Sequence, residues 1–166
     1  GNIGSIVASR GVGLKMHVIA FDPFLSEQRA ADLGVEKVEL DELFARADFI
    51  TLHTPLTEKT RNVISAEAIA KMKKGVRIIN CARGELIDQA ALIEALNSGK
   101  VAGAGLDVFD TEPPKEGDPI LSAPNLLASP HIGGSTEEAQ EIVGIRIAKQ
   151  MVDYLTQGVA VAAVNM

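Results

Sequence analysis

Gly1-Asn2-Ile3-Gly4 runs straight into the apolar helical pattern Ile6, Val7, Ala8, and the reading of that stretch decides the fold. At a turn from strand to helix, glycines let the backbone close on an anion while the helix N-terminus offers unpaired N–H groups, an arrangement that binds phosphate. The complete dinucleotide fingerprint is Gly-x-Gly-x-x-Gly after a buried strand, and only its second half stands here. Downstream spacing supplies what the half-motif lacks. An amphipathic segment leads to about Gly13, the apolar run Val18-Ile19-Ala20-Phe21 follows, and Asp22 falls eighteen residues after Gly4. A carboxylate at the end of the second strand of such a fold accepts hydrogen bonds from the adenosine ribose hydroxyls and repels a 2′-phosphate, so NAD is favoured over NADP. Asp22-Pro23 alone is an ordinary strand-to-turn stop; glycines, helix, strand and acid in register favour a nucleotide.

Further along, apolar runs of strand length alternate with helical stretches, as expected of a parallel α/β sheet. The pattern predicts strands at 17–21, 49–53, 76–80, 101–106 and 125–128, with helices at 3–12, 26–33, 40–46, 65–71, 88–98 and 135–157. Asp41, Ser65 and Asp88 read as N-caps, and Gly34, Gly75, Gly99 and Gly158 follow helix ends. The fold class is a Rossmann-type doubly wound parallel sheet with helices on both faces, its first strand missing from the sequence. In the strand order 3-2-1-4-5-6 that strand is central. Its absence leaves two edges open, and the polypeptide is expected to continue upstream of Gly1. A competing possibility is that the run Val159-Ala160-Val161-Ala162-Ala163-Val164 pairs into a sheet of its own chain or a partner's.

The 166 residues suit one domain with a core, and 46% hydrophobic against 23% charged residues is ordinary for a globular protein. A net charge of −6, no Trp and one Tyr argue against a nucleic-acid surface. No apolar run approaches the roughly 18 residues of a membrane span. The single Cys81 cannot form an intrachain disulfide, which fits a reducing cytoplasm. Three dispersed histidines and one cysteine show no metal-ligand spacing, so no metal is expected.

Chemistry gathers at the predicted strand ends. Asn80-Cys81-Ala82-Arg83-Gly84 puts Arg83 just past the fourth strand, where open α/β sheets bind ligands and a guanidinium can grip a carboxylate. A surface arginine paired with Glu85 is the plainer reading. Asp107 ends the fifth strand, and Glu112 lies in a proline-rich loop that continues to Pro124. His131 precedes Gly133-Gly134 and a long helix, nineteen residues after Glu112. A carboxylate beside an imidazole raises its pKa and fixes its tautomer, as a proton donor to a carbonyl requires. His17 and His53 read as structural.

Taken together, Gly1-Asn2-Ile3-Gly4, Asp22-Pro23, His53-Thr54-Pro55-Leu56, Asn80-Cys81-Ala82-Arg83-Gly84, Asp107-Val108-Phe109 with Glu112-Pro113, and Pro130-His131-Ile132-Gly133-Gly134 resemble the NAD-dependent D-2-hydroxyacid dehydrogenases. Residues 133–140 and the closing Ala163-Val164-Asn165 are most similar to members acting on 3-phospho-D-glycerate. The resemblance implies that Arg83 holds the substrate carboxylate, that His131 is the general acid/base and that Glu112 keeps it protonatable. It implies that Asp107 takes the nicotinamide carboxamide, Asn2 and Ile3 the pyrophosphate between Gly1 and Gly4, and Asp22 the ribose. Thr54 and Pro55 would border the adenosine; Cys81, Ala82, Gly133 and Gly134 would line the nicotinamide half, next to Arg83 and His131.

The same resemblance implies a Rossmann domain over residues 1–134 and, over 135–166, a helix and tail returning toward a substrate domain not in the sequence. The apolar residues Ile142, Ile145, Ile147, Met151 and Leu155 of that helix predict association as a homodimer or tetramer. Glyoxylate, hydroxypyruvate and D-lactate are alternative substrates of the resemblance, and an NAD-sensing corepressor-like module is the non-enzymatic alternative.

Overall fold

The computed structural model describes residues 1–161 and 163. The chain forms two compact units, Gly1–Pro130 and His131 onward. In the first, α1 (Asn2–Gly13), β1 (Ile19–Ala20), α2 (Glu27–Leu33), β2 (Glu36–Lys37), α3 (Leu40–Arg46), β3 (Phe49–Leu52), α4 (Ala66–Lys71), β4 (Val76–Asn80), α5 (Gln89–Asn97), β5 (Val101–Leu106) and β6 (Leu126–Ala128) follow in order. In the second, α6 (Glu137–Gln157) stands after a short 3-10 turn.

All strand pairs are parallel. They form two ladders, β1-β2 and β3-β4-β5-β6, with no pairing between β1 and β3. Both ladders have the parallel pairing of a doubly wound α/β fold. The described strands thus form two parallel sheets, with the open edges that the sequence predicts. The first turn of α1 spans the break: the Gly1 nitrogen is 3.6 Å from Asp22 Oδ2 beyond β1, and a Cβ on Gly4 would lie 3.4 Å from His53 Cβ beyond β3.

The core lies on one face of the four-stranded sheet. Ile50 and Leu52 of β3, Ile78 of β4, and Ala104 and Leu106 of β5 pack with Ala68 and Ile69 of α4 and Leu92 and Leu96 of α5. Alternation puts Phe49 (51% exposed) and Leu127 (73% exposed) on the other face, where the Arg77 guanidinium sits 5.3 Å from the Phe49 ring centroid. The two faces are thus unequally covered.

Local chemistry explains most boundaries. Ser65 and Asp88 cap α4 and α5 by accepting from the N–H groups of Ala68 and Ala91, at 3.2 and 3.1 Å. Asp41 does not cap α3. The N-cap is Glu39, and Asp41 lies inside the first turn, 2.7 Å from Lys71 Nζ. Strand β2 was not expected: two charged residues carry no apolar period, and only the ladder to β1 defines them. Of the C-terminal run proposed as a strand, residues 159–161 and 163 join no strand; Ala162 and Val164 lie outside the described residues, as does Asn165.

Candidate cofactor and substrate site

Because the strands are parallel, the loops that follow β1, β3, β4 and β5 all leave the C-terminal ends of strands; Asp22, Thr54, Pro55, Cys81, Ala82, Arg83, Asp107 and Glu112 lie on them, while residues 1–4 open α1. At the β1 end, Asp22 is fixed by its own turn, Oδ1 accepting the Phe24 N–H at 2.8 Å. That holds the carboxylate beside α1, whose N-cap Gly1 makes no side-chain cap bond. A glycine-led helix start with a carboxylate next to it is an arrangement in which the N–H groups of Asn2 and Ile3 could hold a pyrophosphate and Asp22 a ribose. After β3, half-buried His53 bonds Thr51 Oγ1 at 3.0 Å. Burial is the main cause that lowers its pKa. Thr54 follows, and the Pro55 carbonyl accepts from Thr60 Oγ1 at 2.7 Å.

The turn after β4 is tied more tightly. Asn80, wholly buried, accepts the Ala82 N–H on Oδ1 at 3.0 Å and donates from Nδ2 to the Arg83 carbonyl at 2.8 Å. Arg83 is exposed and turns Nη1 onto the Ala82 carbonyl at 2.6 Å; no ion pair to Glu85 or another carboxylate is recorded for it. Arg83 lies at the surface, as the plainer reading has it, but among the described residues it does not pair with Glu85. The Cys81 thiol is exposed, yet partial burial and then the nearby Asp107 charge push its pKa up. A protonated thiol is a poor nucleophile.

Gly84 joins this turn to the next loop. A Cβ there would come within 2.1 Å of the Phe109 carbonyl carbon and 2.5 Å of the Asp110 nitrogen. Only glycine permits that approach, and it brings the Arg83 turn onto the loop carrying Asp107 and Glu112. Asp107, 5% exposed, donates its N–H to the Asn80 carbonyl at 3.0 Å and accepts the Ser129 hydroxyl on Oδ1 at 2.6 Å. Glu112 accepts the Phe109 N–H on Oε1 at 3.1 Å and precedes a cis peptide to Pro113. Exposed Asp110 nearby has its carboxyl pKa raised, first by partial burial and then by Glu85, Asp88 and Asp118.

The second unit opens with His131 in the left-handed region, φ 55°. Its carbonyl accepts the Ser135 hydroxyl, and the Gly134 carbonyl accepts from Gln140 Nε2 at 2.8 Å. Thr136 caps α6 through the Ala139 N–H at 3.2 Å. The imidazole and the Gly133-Gly134 turn are thus carried at the head of a 21-residue helix. Asn80, Gly84 and Ser129 received no role from the sequence, although they stand within or beside the motifs. A glycine after Arg83 and an asparagine ending an apolar strand were the signals available. Among the described residues no group of three or more His, Cys, Asp or Glu could hold a metal ion.

A parallel sheet with helices, a glycine-led helix beside the acid that follows β1, and an arginine at a strand end has the architecture of a dinucleotide-binding α/β domain. Residues 1–133 match the family described as D-isomer specific 2-hydroxyacid dehydrogenase, NAD binding domain, and the chain belongs to that family. It is 49% identical over 167 residues to a D-3-phosphoglycerate dehydrogenase of Methanocaldococcus jannaschii, covering 100% of this chain and 32% of that protein. It is 53% identical over 153 residues to a hydroxypyruvate reductase of Thermotoga maritima, covering 91% of this chain and 49% of the relative. A crystal structure of a glyoxylate reductase from Paecilomyes thermophila superposes with a TM-score of 0.89 at 38% identity, over 99% of this chain and 50% of that one. The chain therefore spans a third to a half of the length of these relatives.

Proposed function

We propose that this chain is the NAD-binding, catalytic half of a D-2-hydroxyacid dehydrogenase whose substrate pair is 3-phospho-D-glycerate and 3-phosphohydroxypyruvate, at the entry to serine synthesis. The carrying observation is the junction at Gly84, which sets the Arg83 turn against the loop of Asp107 and Glu112. When bound, NAD supplies hydride acceptance and donation. The protein's part is to bind, orient and move a proton. Asn2 and Ile3 offer N–H groups to the pyrophosphate, Gly1 and Gly4 let it approach, and Asp22 takes the ribose. Thr54 and Pro55 border the adenosine.

Asp107, held by Ser129, takes the carboxamide and selects a ring face, while Cys81, Ala82, Gly133 and Gly134 line that half of the cofactor. Arg83 grips the substrate carboxylate in a two-point hydrogen bond. His131 gives a proton to the carbonyl oxygen in reduction and takes it from the hydroxyl in oxidation, with Glu112 favouring the protonated ring. Hydroxypyruvate is the second substrate reading, supported by the 53% identity to the Thermotoga maritima reductase.

Residues 1–134 act as the cofactor domain and 135–166 as a helix and tail returning to the substrate domain. The unpaired Cys81 supports a cytoplasmic setting, and the exposed apolar residues of α6 support a homodimer. Steady-state assays with NADH and either 3-phosphohydroxypyruvate or hydroxypyruvate test the reading. The expected result is oxidation of NADH with the phosphorylated acid favoured, reduced by at least about 100-fold in His131→Ala. Full activity in His131→Ala would end the assignment. Titration of NADH fluorescence with no saturable change would end the cofactor reading as well.

A further inference from the structure

We propose that Asn80 is a positioning residue for substrate, its buried amide fixing the turn from which Arg83 reaches a carboxylate. The inference deepens the function proposed above and rests on the reading of Arg83 as the carboxylate clamp.

Asn80 occupies the last position of β4, where side chains alternate between core and exterior and where the pattern calls for an apolar residue. It is instead an amide, 0% exposed, and apart from Asp107 it is the one polar side chain in the buried set of the described residues. A buried amide is costly unless bonded, and this one is bonded across the turn. Oδ1 takes the N–H of Ala82 and Nδ2 holds the carbonyl of Arg83, so the Cys81-Ala82 and Arg83-Gly84 peptide planes, one on each side of the Ala82-Arg83 peptide, are anchored to one side chain. Among the described residues the Arg83 guanidinium donates one hydrogen bond, to the Ala82 carbonyl within the same turn. The turn therefore sets both where the arginine starts and where it rests.

The same residue reaches the other side of the site through its main chain, its carbonyl accepting the Asp107 N–H at 3.0 Å. Side chain and backbone of Asn80 thus serve different loops. Changing the side chain releases the Arg83 turn and leaves the β4–β5 ladder that carries Asp107 in place. Affinity for the 2-oxo acid should fall while affinity for NADH holds.

The test uses the full-length protein with NADH and hydroxypyruvate, comparing wild type, Asn80→Asp, Asn80→Ala and Arg83→Ala. Asn80→Asp is nearly isosteric and keeps the acceptor for Ala82 while losing the donor to Arg83. The expected result is a KM for hydroxypyruvate raised about tenfold in both Asn80 variants, with kcat and the KM for NADH within about threefold of wild type. An unchanged KM for hydroxypyruvate in a variant with wild-type circular dichroism overturns the proposal. So does a joint change in kcat and both KM values, which marks a purely structural residue. If Asn80→Ala does not fold, Asn80→Asp decides. Arg83→Ala separates the two levels: no rise in its own KM removes the carboxylate clamp itself, whereas a rise there without one in the Asn80 variants removes only the role of Asn80.

Discussion

Gly84 shows how little room the site leaves at single positions. A methyl group there meets the main chain of Phe109 and Asp110, and neither can swing away as a flexible side chain would. Gly84→Ala must separate two loops that both carry candidate site residues, so a loss of more than about 4 kcal/mol is expected, or failure to fold. Urea denaturation reads it, and a variant within about 1 kcal/mol of wild type would show that the loops are not held together there. Cys81 permits a second check. Its pKa is raised by partial burial and then by Asp107, so alkylation by iodoacetamide between pH 7 and 9 should be slower than for a free cysteine peptide, the rate curve displaced to higher pH. A curve displaced to lower pH would instead mark an activated thiol.

At the scale of elements, legibility followed the strength of the local pattern. Strands β4 and β5 were readable to the residue because Val76–Asn80 and Val101–Leu106 are apolar runs between turn signals. Strand β2 was not, because Glu36 and Lys37 are strand only through their ladder to β1, a nonlocal fact. Asp41 looked like a cap because an acid starts the helix; the chain enters α3 two residues earlier, at Glu39. The positions of Arg83 and Asp107 just past strand ends, and of Glu112 in the loop that follows β5, were readable from residue type and spacing. The anchoring of Arg83 by Asn80 was not, because a buried amide and a solvated one look alike in sequence.

Glu36 also carries the element-scale prediction. It accepts from both Arg46 guanidinium nitrogens at 2.6 and 2.7 Å and pairs with His17 at 2.7 Å, joining β2 to α3 and to the segment before β1. The Arg46 hydrogen bonds foremost, then His17, lower its pKa from 4.5 to about 2. With the folded value below the unfolded one, the stabilisation is fully present above pH ~4.5 and is lost as pH falls through about 2. Glu36→Gln should therefore lie below wild type in Tm near pH 6, with the gap closing toward pH 2 and shrinking in high salt because the pair is open to solvent. A gap independent of pH would mean that the carboxylate charge is not what stabilises this corner.

For the whole molecule, what remains uncovered matters as much as what is packed. One face of the four-stranded sheet exposes Phe49 and Leu127, and α6 has no buried residue although Val143, Ile147, Met151 and Leu155 recur at helical spacing. Each of these four is more than half exposed, at 55, 51, 59 and 77%. An unbroken apolar stripe of that length rarely faces water in an isolated subunit, whereas two copies apposed along it would remove both stripes at once. Wild type should sediment as a dimer at micromolar concentration. Ile147→Lys with Met151→Lys would place four charges in a two-fold interface, and the dissociation constant should rise by at least about 100-fold, since desolvating unpaired charges costs several kcal/mol. The substituted positions are exposed, so the monomer's circular dichroism should be unchanged. A wild-type monomer at 100-fold higher concentration would end the dimer reading, and equal association of wild type and the double variant would place the interface elsewhere than on α6.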